Sequence, residues 1–186
     1  GRTDAGVHAL AQVAHLDLDT TLPPETLRRR INDVLPSDIN ILRIDRVRHR
    51  FHARHDAVAR SYVYQVARRR TPFAKAYVWW VKDGLDIDAR RPAARQFVGM
   101  HDFQSFSDDD PDEKSTQVLL DRCDAHERGD AVLVHIEGSH FLWKMVRRLV
   151  GVLVEVGRGQ MTGRDAAAML VESSRVPGRP TPPGSG

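Results

Sequence analysis

Cysteine is almost missing: Cys123 is the only one in 186 residues. One thiol forms no internal disulfide and builds no thiolate zinc site, so a reducing compartment, the cytoplasm, is the expectation. No run reaches the roughly 18 consecutive apolar residues that a membrane span requires, and the opening residues GRTDAGVHA carry neither a basic nor an apolar leader segment. A membrane partner is therefore not expected. Lysine is scarce too, with 4 Lys against 24 Arg. Phosphate-binding glycine loops of the Walker type, the dinucleotide fingerprint and the serine-hydrolase elbow G-x-S-x-G do not occur, which removes the main support for nucleotide-driven and serine-hydrolase chemistry.

What remains is ordinary globular material, 41% hydrophobic and 28% charged, of a length that suits one domain with a real core. The formal charge is only +3, but it is unevenly spread: residues 1–70 hold 13 Arg and 8 acids, a balance of +5, and the rest is slightly acidic. Between Arg43 and Arg70 nine Arg stand against Asp45 and Asp56. Such a density suits the neutralisation of nucleic-acid phosphates, although a GC-rich genome yields the same arginine bias.

Periodicity sketches the elements. Residues 7–18 alternate as a strand, residues 24–35 read as an amphipathic helix entered through proline, and residues 39–48 return to β character. RSYVYQVA at 60–67 puts Tyr62, Tyr64 and Val66 on one strand face. Residues 71–85 are irregular and aromatic, Asp86 or Asp88 caps a helix running to about Val98 with Gly99 as its stop, and HDFQSFSDDDPDE is a loop. Residues 118–126 and 131–138 form a hairpin around Gly129. A helix over 139–157 is apolar almost all round, Thr162 with Asp165 caps a last helix over 163–173, and the Pro/Gly tail has no fixed structure. The order suggests an α+β fold with helices on one face of a mainly antiparallel sheet.

Few residues offer chemistry. Asp4 sits between Gly1 and Gly6, where glycine permits a tight turn and close approach of a ligand. Arg147 shares its helical face with Trp143, Gly151 and Val154, the apolar side, so it is a candidate buried guanidinium in need of an anionic partner. His49, His52 and His55 match no common zinc spacing, Asp108 to Asp110 read as a solvated loop, and Phe103 and Phe106 read as core.

Four blocks, taken in order, resemble one family. GRTDAGVHA at 1–9, FHARHDAVARSYVY at 51–64, HDFQSFS at 101–107 and FLWKMVRRLVGVLVEVG at 141–157 are similar to the motifs of the tRNA pseudouridine synthase A family, over about 155 of the 186 residues. The resemblance implies two ferredoxin-like halves sharing one central sheet, the first half continuing through residues 1–48 with the catalytic loop at 1–6, the second occupying 49–186. It implies a homodimer, no cofactor or metal, and conversion of uridine to pseudouridine in the anticodon stem-loop of transfer RNA. By the same resemblance Asp4 is the catalytic aspartate, Tyr62 stacks on the target base, Arg147 pairs with Asp4, and Arg2 and Arg54 meet RNA. His55 and Arg148 depart from the family pattern, and the expected strand and helix before Gly1 are not in the chain, which is therefore expected to be a piece of a longer protein that cannot complete the sheet or the site alone. The alternative reading is an RNA-binding module without catalysis.

Overall fold

The computed structural model describes residues 4–82, 84–108, 115–171 and 182–183, and it divides the chain into two compact units. One unit comprises Gly1 with residues 11–57, the other residues 2–10 with 58–186.

In the first unit the described residues hold one helix, α1 (Pro24–Asn32). Pro at its first turn fits a position whose N–H has no helical acceptor, and Glu25 beside it takes Arg28 Nη2 at 2.7 Å and Arg29 Nε at 3.3 Å. The strands expected over 7–18 and 39–48 are not present: both segments run without ladder pairing. Alternation specifies a strand only when a neighbouring strand takes its backbone groups, and here Leu10, Val13, Leu16 and Leu18 stay exposed. At Ile41 the side chains of α1 take over. Asn32 accepts from its N–H at 2.8 Å and donates to its carbonyl at 3.0 Å, and Arg28 Nη1 donates to the same carbonyl at 3.3 Å.

The second unit is built on a five-stranded sheet of β1 (Arg60–Ala67), β2 (Trp79–Trp80), β3 (Gly99–Asp102), β4 (Gln117–Arg128) and β5 (Ala131–Gly138) in the spatial order β2-β1-β5-β4-β3. Only the β1–β2 pair is parallel. The hairpin β4–β5 and strand β1 follow the sequence pattern closely, and the period of 2 puts Val132, Val134 and Ile136 of β5 on the buried side beside Val66, Tyr64 and Tyr62 of β1. Three helices share that core: α2 (Ile87–Arg95), α3 (Met145–Gly157) and α4 (Gly163–Ala168). The fold is α+β, with a mixed, mainly antiparallel sheet.

Two strands escaped the sequence pattern because they are too short to alternate: β2, two residues inside the aromatic stretch, and β3, which takes Gly99, His101 and Asp102 out of the expected stop and loop. Phe103 and Phe106 after β3 are fully buried. Asp86 caps α2 through the N–H of Ala89, and Thr162 and Asp165 form the reciprocal capping box of α4, which ends at Ala168 rather than 173. The long apolar helix begins at Met145 and not at residue 139, because Lys144 adopts φ +61, a left-handed conformation that cannot continue a right-handed helix. Residues 109–113 of the acidic loop and most of the Pro/Gly tail, 174–181 and 184–186, lie outside the described residues.

Candidate active site

The N-terminal loop of the second unit is a tight turn. The Val7 N–H donates to the Asp4 carbonyl at 3.1 Å, and Gly6 takes φ +80, a position where a side chain would be strained. The glycine thus lets the chain reverse directly after the carboxylate. Asp4 Oδ2 accepts from Arg147 Nη2 at 3.0 Å. The two residues are 143 apart in sequence and meet because α3 carries Arg147 on the side of this loop. The Arg147 side chain is 20% exposed and that of Asp4 48%, so the pair sits at the rim of the core. An ion pair this wet adds at most about 1 kcal/mol to stability. Its consequence is orientation of the carboxylate.

Strand β1 brings the aromatic component. Tyr62 lies edge-on to Phe141, with ring centroids 5.2 Å apart, and burial followed by the Asp4 carboxylate pushes its phenol pKa up. The hydroxyl therefore stays protonated at neutral pH. Tyr64, two residues along the same face, is buried, its pKa is pushed up by burial, and its hydroxyl donates to the Pro183 carbonyl at 2.5 Å. Arg60, at the start of β1, donates through Nη1 to the Ser139 carbonyl at 2.5 Å, tying the strand to the stretch that precedes α3.

Asp4, Arg147 and Tyr62 are thus gathered in one place. Arg148, one residue on, points elsewhere, to Ser107 and Asp108. Arg54 is an exposed residue of the unit of residues 11–57, and Arg2 lies outside the described residues. Phe141 stands out in no sequence pattern of its own, and Asp108, expected in a solvated loop, instead accepts from Lys144 and Arg148. The signal available for Phe141 was its place in the FLWKMVR block, and for Asp108 there was none beyond its membership of an acidic run.

Two of the three histidines of the H-x2-H-x2-H run meet other imidazole rings. The His52 ring lies tilted against His15, with centroids 4.5 Å apart, and against His55 at 4.2 Å, and the Nδ1 atoms of His15 and His52 accept from backbone N–H groups of the same unit. Burial, then His55 and His15, lower the His52 pKa. Among the described residues no three His, Cys, Asp or Glu side chains are grouped to hold a metal, and no helix is long and apolar enough to cross a membrane.

Residues 93–183, which carry Arg147 and α3, match a family model described as tRNA pseudouridine synthase. The chain is 39% identical over 189 aligned residues to a tRNA pseudouridine synthase A of Paramagnetospirillum magneticum, covering all of this chain and 74% of that protein. It is 42% identical to one of Rhodopseudomonas palustris, covering all of this chain and 77% of the relative, and 37% identical to tRNA pseudouridine synthase A 2 of Bacillus cereus, covering 94% and 72%. The chain belongs to the tRNA pseudouridine synthase A family, isomerases that convert uridine to pseudouridine.

Proposed function

We propose that this protein isomerises uridine to pseudouridine in the anticodon stem-loop of transfer RNA, in the cytoplasm and as a homodimer, with Asp4 as the catalytic carboxylate. The reaction breaks the C1′–N1 glycosidic bond, turns the base over and joins C1′ to C5. N1 gains a proton and the proton of C5 is lost to solvent, so atoms and charge balance without a redox partner or co-substrate. A single carboxylate is enough to start it, whether by attack at C1′ or by removal of a ribose proton. Arg147 holds that carboxylate in place before the substrate arrives, which spares the cost of ordering it in the reacting complex.

A uridine must leave its stack to be turned over, and the neutral ring of Tyr62, held by Phe141, offers a replacement surface. Arg2 and Arg54 supply contacts to the RNA. The observation that supports this reading most is the 3.0 Å ion pair between Asp4 and Arg147 in a member of this family. The test uses transfer RNA labelled with tritium at uridine C5 and the complete protein carrying Asp4→Asn. Tritium release is expected to fall by more than about a hundredfold while RNA affinity stays within about threefold, the pattern of an interaction made only in the transition state. Release within tenfold of wild type would remove Asp4 from the chemistry, and binding without release by the wild type would favour the non-catalytic RNA-binding module.

A further inference from the structure

Lys144, Arg147 and Arg148 place three cations within five positions at the start of α3. Only Arg147 engages Asp4. The other two are held by one side chain: Asp108 Oδ2 accepts from Lys144 Nζ at 3.0 Å, and Oδ1 of the same carboxylate accepts from Arg148 Nη2. The grip continues through the neighbouring residue. Arg148 Nη1 donates to the Ser107 carbonyl at 2.9 Å, and Ser107 Oγ donates to the Trp143 carbonyl at 3.2 Å. Ser107 and Asp108 together therefore hold the chain at 143, 144 and 148, on both sides of Arg147 in sequence.

This clamp sits where the backbone needs one. Lys144 is the only described non-glycine residue at positive φ, and as the residue before the first turn of α3 its side chain, which has no acceptor, supplies no cap to the helix N–H groups. A left-handed non-glycine residue persists only when its surroundings over-determine it, and Arg147 is anchored three residues beyond it. Rotation of that first turn would swing the guanidinium away from Asp4, and release of Lys144 or Arg148 would offer Asp4 a rival cation in the wrong place.

We propose that Asp108 is a positioning residue, which by holding Lys144 and Arg148 fixes the first turn of α3 so that Arg147 alone meets Asp4. The inference rests on the reading of Asp4 and Arg147 given above. The Lys144 hydrogen bond, then that of Arg148, holds the Asp108 carboxyl below the usual carboxylate range, so the clamp is charged at neutral pH. The side chain of Asp108 is 36% exposed, and its replacement by asparagine leaves no buried group unpaired.

The experiment is a double-mutant cycle in the complete protein, read as the single-turnover rate of tritium release at saturating enzyme and, separately, as transfer-RNA affinity. Asp108→Asn is expected to slow turnover about tenfold, since misplacement of a catalytic contact is costly, with affinity changed less than about threefold. In an Arg147→Met background the same substitution should have no further effect on the rate, because the residue through which it acts is gone. Arg148→Gln, which opens the clamp from the other side, should behave in the same way in both backgrounds. A rate unchanged by Asp108→Asn, or a loss that persists undiminished after Arg147→Met, would overturn the proposal and leave the Asp4–Arg147 reading standing. Normal turnover by Arg147→Met itself would overturn both.

Discussion

At the scale of single residues, the buried thiol gives a measurable signature. Cys123 is 2% exposed on β4, and burial, followed by the neighbouring Asp124, pushes its pKa up to about 12. In the unfolded chain a thiol titrates near pH 8.5. Above that pH the unfolded state binds fewer protons than the folded one, so the stability contributed by the neutral thiol is full below about pH 8.5 and is lost progressively as pH rises towards 12. Denaturant melts from pH 8 to 11 should show wild type losing stability faster than Cys123→Ala, by no more than about 1.4 kcal/mol per pH unit. A thiol reagent should label the native protein slowly and the denatured one at once.

At the scale of elements, the contact between α2 and the end of α3 is the most demanding. Arg90 of α2 is fully buried, and among the described residues none of its guanidinium nitrogens has a hydrogen-bond partner; burial lowers its pKa to about 10. It packs directly against Gly157, where an added Cβ would come within 2.1 Å of Nε and 2.7 Å of Cζ. The glycine is there for lack of room, since its φ is not positive. Gly157→Ala should therefore lower stability by about 1–3 kcal/mol through overpacking. Arg90→Met removes an unpaired buried charge and should be neutral or stabilising, and the double variant should recover much of what Gly157→Ala loses. Thermal melts of the three variants check this, and equal losses from Gly157→Ala with and without Arg90→Met would move the cause elsewhere.

At the scale of the whole molecule, the arginine-rich stretch is less free than its composition suggests. Arg43 pairs with Asp45 at 2.7 Å, Arg68 with Glu127 at 2.9 Å and Arg69 with Asp130 at 3.1 Å, while Arg60 is tied to Ser139 and Arg70 lies 4.2 Å over the Trp80 ring. Arg46 and Arg50 have no such partner among the described residues. Replacing Arg46 or Arg50 by Gln should reduce the salt dependence of transfer-RNA binding, the slope of log K against log salt changing by about 0.7–0.9 for each lost phosphate contact. Arg60→Gln should act mainly on stability. Affinity titrations across a salt series separate the two, and equal slopes for all three variants would assign the stretch to genome bias.

The sequence by itself determined whatever depends on neighbours along the chain. Alternation set β1 and the β4–β5 hairpin, Asp86 and the Thr162–Asp165 box set helix starts, and the four motif blocks carried the family. Helical spacing turned Arg147 towards the core, because the period of 3.6 is a local property, but its side chain stays 20% exposed and Trp143, expected on the same face, is exposed and precedes the helix. Tertiary structure decided what depends on partners far away. Residues 7–18 and 39–48 have the pattern of strands but no ladder, β2 and β3 have a ladder but almost no pattern, and Lys144 delays α3 by a backbone conformation that hydrophobicity does not encode. The meeting of Asp4 with Arg147, and of Asp108 with Lys144 and Arg148, belongs to the same class, since directional contacts between distant segments exist only once the core has fixed where each segment ends.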